Sequence, residues 1–146
     1  MASRTRDIDA QTETTTPVTE SESGLDGNVA GALSYLFGFV SGLIFYLIEK
    51  DDPFVRWHAA QSIAFACVLV VVYIALTFLG TVVSVASFSG GSGMFLIGSL
   101  FGLILGLVWL VVAVGSFVAW IYLMLKAYQG ETPRLPVAAK IADRLA

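Results

Sequence analysis

Charge is nearly missing from the middle of this chain. Between Phe54 and Leu125 the ionisable side chains are Arg56 and His58, apart from Cys67 and the tyrosines. A soluble fold of 146 residues exposes far too much surface to cover with so few charges. That excludes water as the solvent of this stretch. Cysteine is also scarce. Cys67 is the single one, which rules out a disulfide within the chain and leaves a thiolate metal site without partners. It reads as a small apolar residue in an apolar run. Histidine occurs once, at His58, with no Ser or Cys at the spacing a hydrolytic triad needs. A basic patch with interleaved aromatics is absent too, so no nucleic-acid partner is expected. The sequence offers no motif for a cofactor, and none is expected.

What is present is apolar. Hydrophobic residues make up 57% of the chain and charged residues 13%, against roughly 25% charged in ordinary globular proteins. The net charge of −3 averages unlike ends. Residues 1–28 hold Asp7, Asp9, Glu13, Glu20, Glu22 and Asp26 against Arg4 and Arg6. This head is rich in Thr, Glu and Ser with almost nothing to bury, and reads as disordered. The end of the chain is basic, with Lys126, Arg134, Lys140 and Arg144 against Glu131 and Asp143.

The pattern predicts an all-α integral membrane bundle, with a transmembrane domain over residues 29–128. A first span over 30–48 rises roughly 28 Å, close to the ~30 Å hydrocarbon thickness. It starts too late and runs too long for a secretory leader, and reads as a permanent span. Glu49-Lys50-Asp51-Asp52 ends it with four charges. Asp52 followed by Pro53 is a helix-start signal. The next turns mix Arg56, His58 and Gln61 with Phe54 and Trp57, a composition suited to the headgroup level and to a short interfacial segment. The second span is expected over 62–88 as a helix despite its Val and Ile, because an open strand in lipid leaves backbone groups unpaired. A glycine-serine turn over 87–93 leads to the third span, 95–125, with four spans as the alternative if that run folds as two. Residues 129–146 form a polar tail, in which Val137, Ile141 and Leu145 recur every four residues as in a surface helix. Lys and Arg near the span ends place the first loop and the C-terminus in the cytoplasm of a multi-pass cell-membrane protein, and the N-terminus outside.

Two patterns mark candidate sites. Small residues at four-residue spacing, Ser34, Gly38 and Gly42 in the first span and Gly98, Gly102 and Gly106 in the third, suit close helix packing within the chain or between copies. The loop from Glu49 to Ser62 gathers Asp52, Pro53, Phe54, Arg56, His58 and Gln61. Its acidic residues precede the helix while His58 lies well along it, so nothing fixes three metal ligands around one point. At 100° per residue His58, Gln61 and Ser62 share an arc away from Arg56. That arc suits hydrogen bonds to another span or a small polar cavity.

The run Pro53-Phe54-Val55-Arg56-Trp57-His58-Ala59-Ala60-Gln61 resembles the signature of a family of small bacterial and archaeal membrane proteins. That family is grouped with the twenty-kilodalton subunit of the chloroplast inner-envelope import translocon. Gly31-Ala32-Leu33-Ser34-Tyr35-Leu36, Tyr128-Gln129-Gly130-Glu131 and Pro136 add to the resemblance, which covers about residues 28–141. It implies a helical membrane fold and a non-enzymatic role not yet assigned, since the prokaryotic members are mostly uncharacterised. A subunit of a protein-translocation or small-solute channel assembly is the alternative. The implied partners are the lipid bilayer and further copies or other membrane proteins.

Overall fold

A computed structural model of the chain describes residues 22–146, and the regular structure over them is all helical. Its helices are α1 (Gly27–Leu33), α2 (Phe39–Ile48), α3 (Pro53–Ser89), α4 (Gly91–Tyr128) and α5 (Ala138–Leu145). The acidic head expected to be disordered lies mostly outside the described residues. Its last part, from Glu22 onward, does not: Gly27 and Asn28 already belong to α1, and Glu22 and Ser23 are hydrogen-bonded to Glu49.

α3 and α4 form a long antiparallel hairpin. Asp52 caps α3, its Oδ1 accepting from the amides of Phe54 at 2.9 Å and Val55 at 3.3 Å, with Pro53 in the first turn where a missing N–H costs nothing. At 1.5 Å per residue the two helices rise roughly 55 Å each. A single residue, Gly90, joins them, and Gly91 takes the φ of +78° that lets the chain reverse. The sequence suggests a turn over 87–93, but helix continues through most of it. α4 is unbroken across the third apolar run, so that run is one helix.

Ring and hydroxyl contacts register the hairpin. Tyr73 stacks on Trp109 with centroids 4.9 Å apart, and its hydroxyl lies 3.2 Å from Ser116 Oγ. Thr77, Thr81, Ser87, Ser89 and Ser99 each donate to a carbonyl four residues back in their own helix. Those hydroxyls are satisfied without water, as lipid requires. In the most apolar windows of α3 and α4 only 6% and 0% of residues are buried, so these are not core helices of a water-soluble domain. Phe78, Phe88, Leu96 and Leu103 are at least 70% exposed. An apolar surface of that extent needs a lipid surround.

The expected single span over 30–48 is absent. Instead the segment breaks between Leu33 and Phe39. Here Tyr35, Leu36 and Gly38 donate to carbonyls only three residues back, and Gly38 sits at φ +57°, ψ −116°, a conformation glycine supplies without strain. α1 and α2 then run in opposite directions along the same part of α3. A Cβ on Gly27 would touch Asp52 and Val55, and one on Gly31 would meet Phe54 and His58. Gly38 lies deepest, against Ala66, and on the return Gly42 lies against Ala59, Ser62 and Ile63. Glu49 is back at the level of Glu22 and Ser23. The segment enters alongside the hairpin and returns to the end it came from. With 10 residues, α2 rises only about 15 Å and is too short to cross by itself.

Candidate functional site

At the open end of the hairpin the polar residues of the chain close on one another. His58, fully buried in the second turn of α3, is the centre. Its Nε2 lies 3.0 Å from the Glu131 carbonyl and its Nδ1 3.0 Å from the Tyr35 hydroxyl. A carbonyl can only accept, so Nε2 carries the proton and Nδ1 accepts from Tyr35. Phe54, Trp57 and Tyr35 meet the imidazole edge-on, with centroids 4.5, 5.1 and 5.7 Å away. One turn further, buried Gln61 donates from Nε2 to the Pro133 carbonyl at 3.1 Å, and its Oε1 has no partner among the described residues. Gly130, at φ +77°, turns the chain after α4 so that residues 131–133 come back to these two side chains.

The break between α1 and α2 is tied down in the same way. Ser62 donates to the Gly38 carbonyl at 2.9 Å, Ser41 to the Ser34 carbonyl at 2.9 Å, and the Trp120 indole to the Tyr35 carbonyl at 2.6 Å. Ser41 Oγ also accepts from the Phe37 amide. Non-helical backbone survives at membrane depth only where protein groups take its hydrogen bonds, and here three other positions do. Tyr35, Leu123 and Ala127 form the small apolar core beneath, with Phe65 and Trp120 against it.

Around this centre lies a charged rim. Buried Glu49 accepts from the amides of Glu22 and Ser23, both at 2.9 Å. Trp57 Nε1 donates to Asp143 at 3.0 Å, which Arg134 also bridges, and Lys126 pairs with Glu131 at 2.6 Å. α5 lays Ala138, Ala139 and Ala142 inward. The Tyr46 hydroxyl donates to the Leu145 carbonyl, while Arg56 donates to that hydroxyl at 3.1 Å and stacks over the Tyr46 ring at 4.3 Å. The arrangement holds segments together. It has no nucleophile beside a free base, and among the described residues no group of His, Cys, Asp and Glu is placed to hold a metal ion.

The loop residues expected to matter therefore converge: Asp52 caps, Phe54 packs on His58, Arg56 holds Tyr46 of α2, and His58 and Gln61 hold the C-terminal segment. The expected small-residue seams divide. Ser34 and Gly38 fall in the break, so they do not share a helix face with Gly42. Gly42 does approach α3 closely, a Cβ there lying 3.1 Å from the Ala59 carbonyl. Gly98 abuts Ser87 so tightly that a Cβ would overlap its hydroxyl, whereas Gly102 and Gly106 have nothing within 4 Å of that position. They border a groove of about 380 Å³ between α3 and α4 near the tip, with Gly80, Ser84 and Trp109. Sequence reasoning passed over Tyr35, Tyr46, Glu49 and Trp120. Two signals were available: an indole N–H in an apolar run needs an acceptor, and Tyr35 belongs to the motif before the loop.

The family of magnetosome magnetite crystal formation proteins matches residues 25–142. A UPF0132 membrane protein of Methanocaldococcus jannaschii is 38% identical over 121 residues, covering 83% of this chain and 89% of the relative. Another from the same organism is 34% identical over 83% of this chain and 71% of its own length. One from Archaeoglobus fulgidus is 38% identical over 80% of this chain and 92% of its own length. No solved structure matches the chain. A match running from before α1 to within α5, with relatives of similar length, makes this chain a member of the magnetosome magnetite crystal formation family, alongside the archaeal UPF0132 membrane proteins.

Proposed function

We propose that the chain is a non-enzymatic membrane scaffold: a two-helix membrane anchor whose polar end presents both termini and the first loop on one side of the bilayer. The observation that carries this reading is the return of residues 27–48 to the end they start from, which brings Glu49 onto the amides of Glu22 and Ser23. If α3 and α4 cross and that segment does not, the N-terminal head shares a side with Lys50 and the C-terminal tail. Lys and Arg near the span ends favour the cytoplasm for that side. The N-terminus then sits opposite to where a three-span count puts it.

The scaffold reading also rests on how the signature residues are used. Both nitrogens of His58 and the amide nitrogen of Gln61 are committed to other segments, which suits a clasp better than a reactive or conducting site. The matched family and relatives are described without reference to chloroplast import, and a translocation role does not follow from a helical fold.

Single cysteines in a Cys67→Ser background test the topology. Ser23→Cys, Lys50→Cys and Ala146→Cys are expected to share one pattern with a membrane-impermeant maleimide, and Ser92→Cys at the hairpin tip the opposite one. Labelling of positions 23 and 50 from opposite sides defeats the proposal. Ion flux through the purified protein in vesicles defeats the scaffold reading in favour of a channel.

A further inference from the structure

Acids slightly outnumber bases at the clasp end, seven Asp and Glu against six Lys and Arg among the described residues, yet several of the cations have no carboxylate beside them. Lys126 and Arg134 are paired with Glu131 and Asp143, but no carboxylate lies within ion-pair distance of Arg56, Lys140 or Arg144 among the described residues. The inner carboxylates are turned away, Glu49 to the amides of residues 22–23 and Asp52 to the first turn of α3, while Asp51 on the first loop and Glu22 and Asp26 before α1 are exposed acids at the same end. Arg56 is the unusual member of the set. It is half-buried and held in one orientation by stacking over Tyr46, and it spends one donor on the Tyr46 hydroxyl. A guanidinium has five N–H donors in a planar fork, so most of the fork is left without a protein acceptor. The Tyr46 hydroxyl in turn binds Leu145, which brings the last turn of α5, and with it Arg144, to the same edge. Lys140 lies one turn earlier on that helix. Apolar side chains are exposed on the same two helices, Leu47 and Ile48 at the end of α2 and Val137 and Leu145 at the two ends of α5.

One held guanidinium with two exposed cations and exposed aliphatic side chains at the same end matches the two halves of an anionic phospholipid, a phosphodiester above and acyl chain below. We infer that this edge binds the headgroup of an anionic phospholipid, with the Arg56 guanidinium on the phosphate and Lys140 and Arg144 beside it. The inference rests on the proposal that the clasp end lies at a membrane surface, but its test does not depend on which surface. The full chain in a neutral detergent is mixed with phosphatidylglycerol or phosphatidylcholine, and bound lipid is counted by native mass spectrometry. Phosphatidylglycerol is expected to be retained in preference, with Arg56→Gln and the double change Lys140→Gln, Arg144→Gln each weakening it about fivefold or more per cation removed. Arg56→Lys should keep much of the preference, and Lys126→Gln, which alters a paired cation, should keep all of it.

Thermal unfolding of each variant separates lost binding from lost folding. Equal retention of the two lipids overturns the inference. So does a folded Arg56→Gln protein that binds phosphatidylglycerol as before. Displacement of the lipid by millimolar inorganic phosphate, with the same dependence on Arg56, would make this a free-anion site and overturns it as well. A failed topology test leaves these binding results intact, so the two proposals fail separately.

Discussion

Replacing His58 by Phe removes the centre of the clasp while keeping an aromatic ring among Phe54, Trp57 and Tyr35. Two hydrogen bonds of 3.0 Å disappear, and the Tyr35 hydroxyl and Glu131 carbonyl lose their partner. An orphaned buried polar group costs about 1–3 kcal/mol, and hydrogen bonds in membrane proteins are measured toward the low end, so the loss should total about 2–3 kcal/mol. The larger ring adds some overpacking, which a double-mutant cycle cancels. Tyr35→Phe alone should cost about 1 kcal/mol, because it strips the hydroxyl from Nδ1. In the His58→Phe background the same change should cost nothing or stabilise slightly, since the hydroxyl it removes is already unpaired. Unfolding in mixed micelles, followed by tryptophan fluorescence, gives the four free energies. Additivity of the two changes, or full stability of His58→Phe, would mean that the imidazole does not link the break after α1 to the C-terminal segment.

Glycine substitutions should separate close packing from open spacing. Gly42→Leu must displace α2 from the Ala59 carbonyl and is expected to cost about 1–3 kcal/mol in micelle unfolding. Gly102→Leu meets nothing within 4 Å and should fall within about 0.5 kcal/mol of the parent. Equal losses at the two positions would contradict this geometry. Asp52→Ala removes the two amide contacts that start α3 and should cost about 1 kcal/mol, with Asp52→Asn recovering most of it; an unchanged Asp52→Ala protein would show the cap to be idle.

The two long helices are legible because one physical fact decides them. A run with no charge from Ala59 to Leu125 has to live in lipid, and lipid admits little besides helix. The start of α3 is legible for a local reason, since Asp52 and Pro53 do their work within three residues. The break at Gly38 depends on distance. Ser34, Gly38 and Gly42 at four-residue spacing read equally well as a packing seam in one helix, and nothing near them in sequence favours a break. It is settled by donors 24 to 85 residues away, the Ser62 hydroxyl and the Trp120 indole, which supply the hydrogen bonds that a continuous helix would have made.

Charge alone does not distinguish a crossing segment from a returning one, for a related reason. Counting Lys50 and Arg56 treats Glu49 to Asp52 as the far end of a crossing, because four charges in a row do stop a membrane span. They stop a returning segment equally well. What separates the two cases is Glu49, which ought to face water if it ended a crossing and is instead buried on the backbone of Glu22 and Ser23. Every ionisable group described outside the tyrosines and Cys67 then lies at one end of the hairpin, and the tip some 50 Å away has none. The described residues thus gather their charges on one face. The clasp residues hold that face together, so loss of His58 or Gln61 should first be felt as loss of structure there, before any partner is involved.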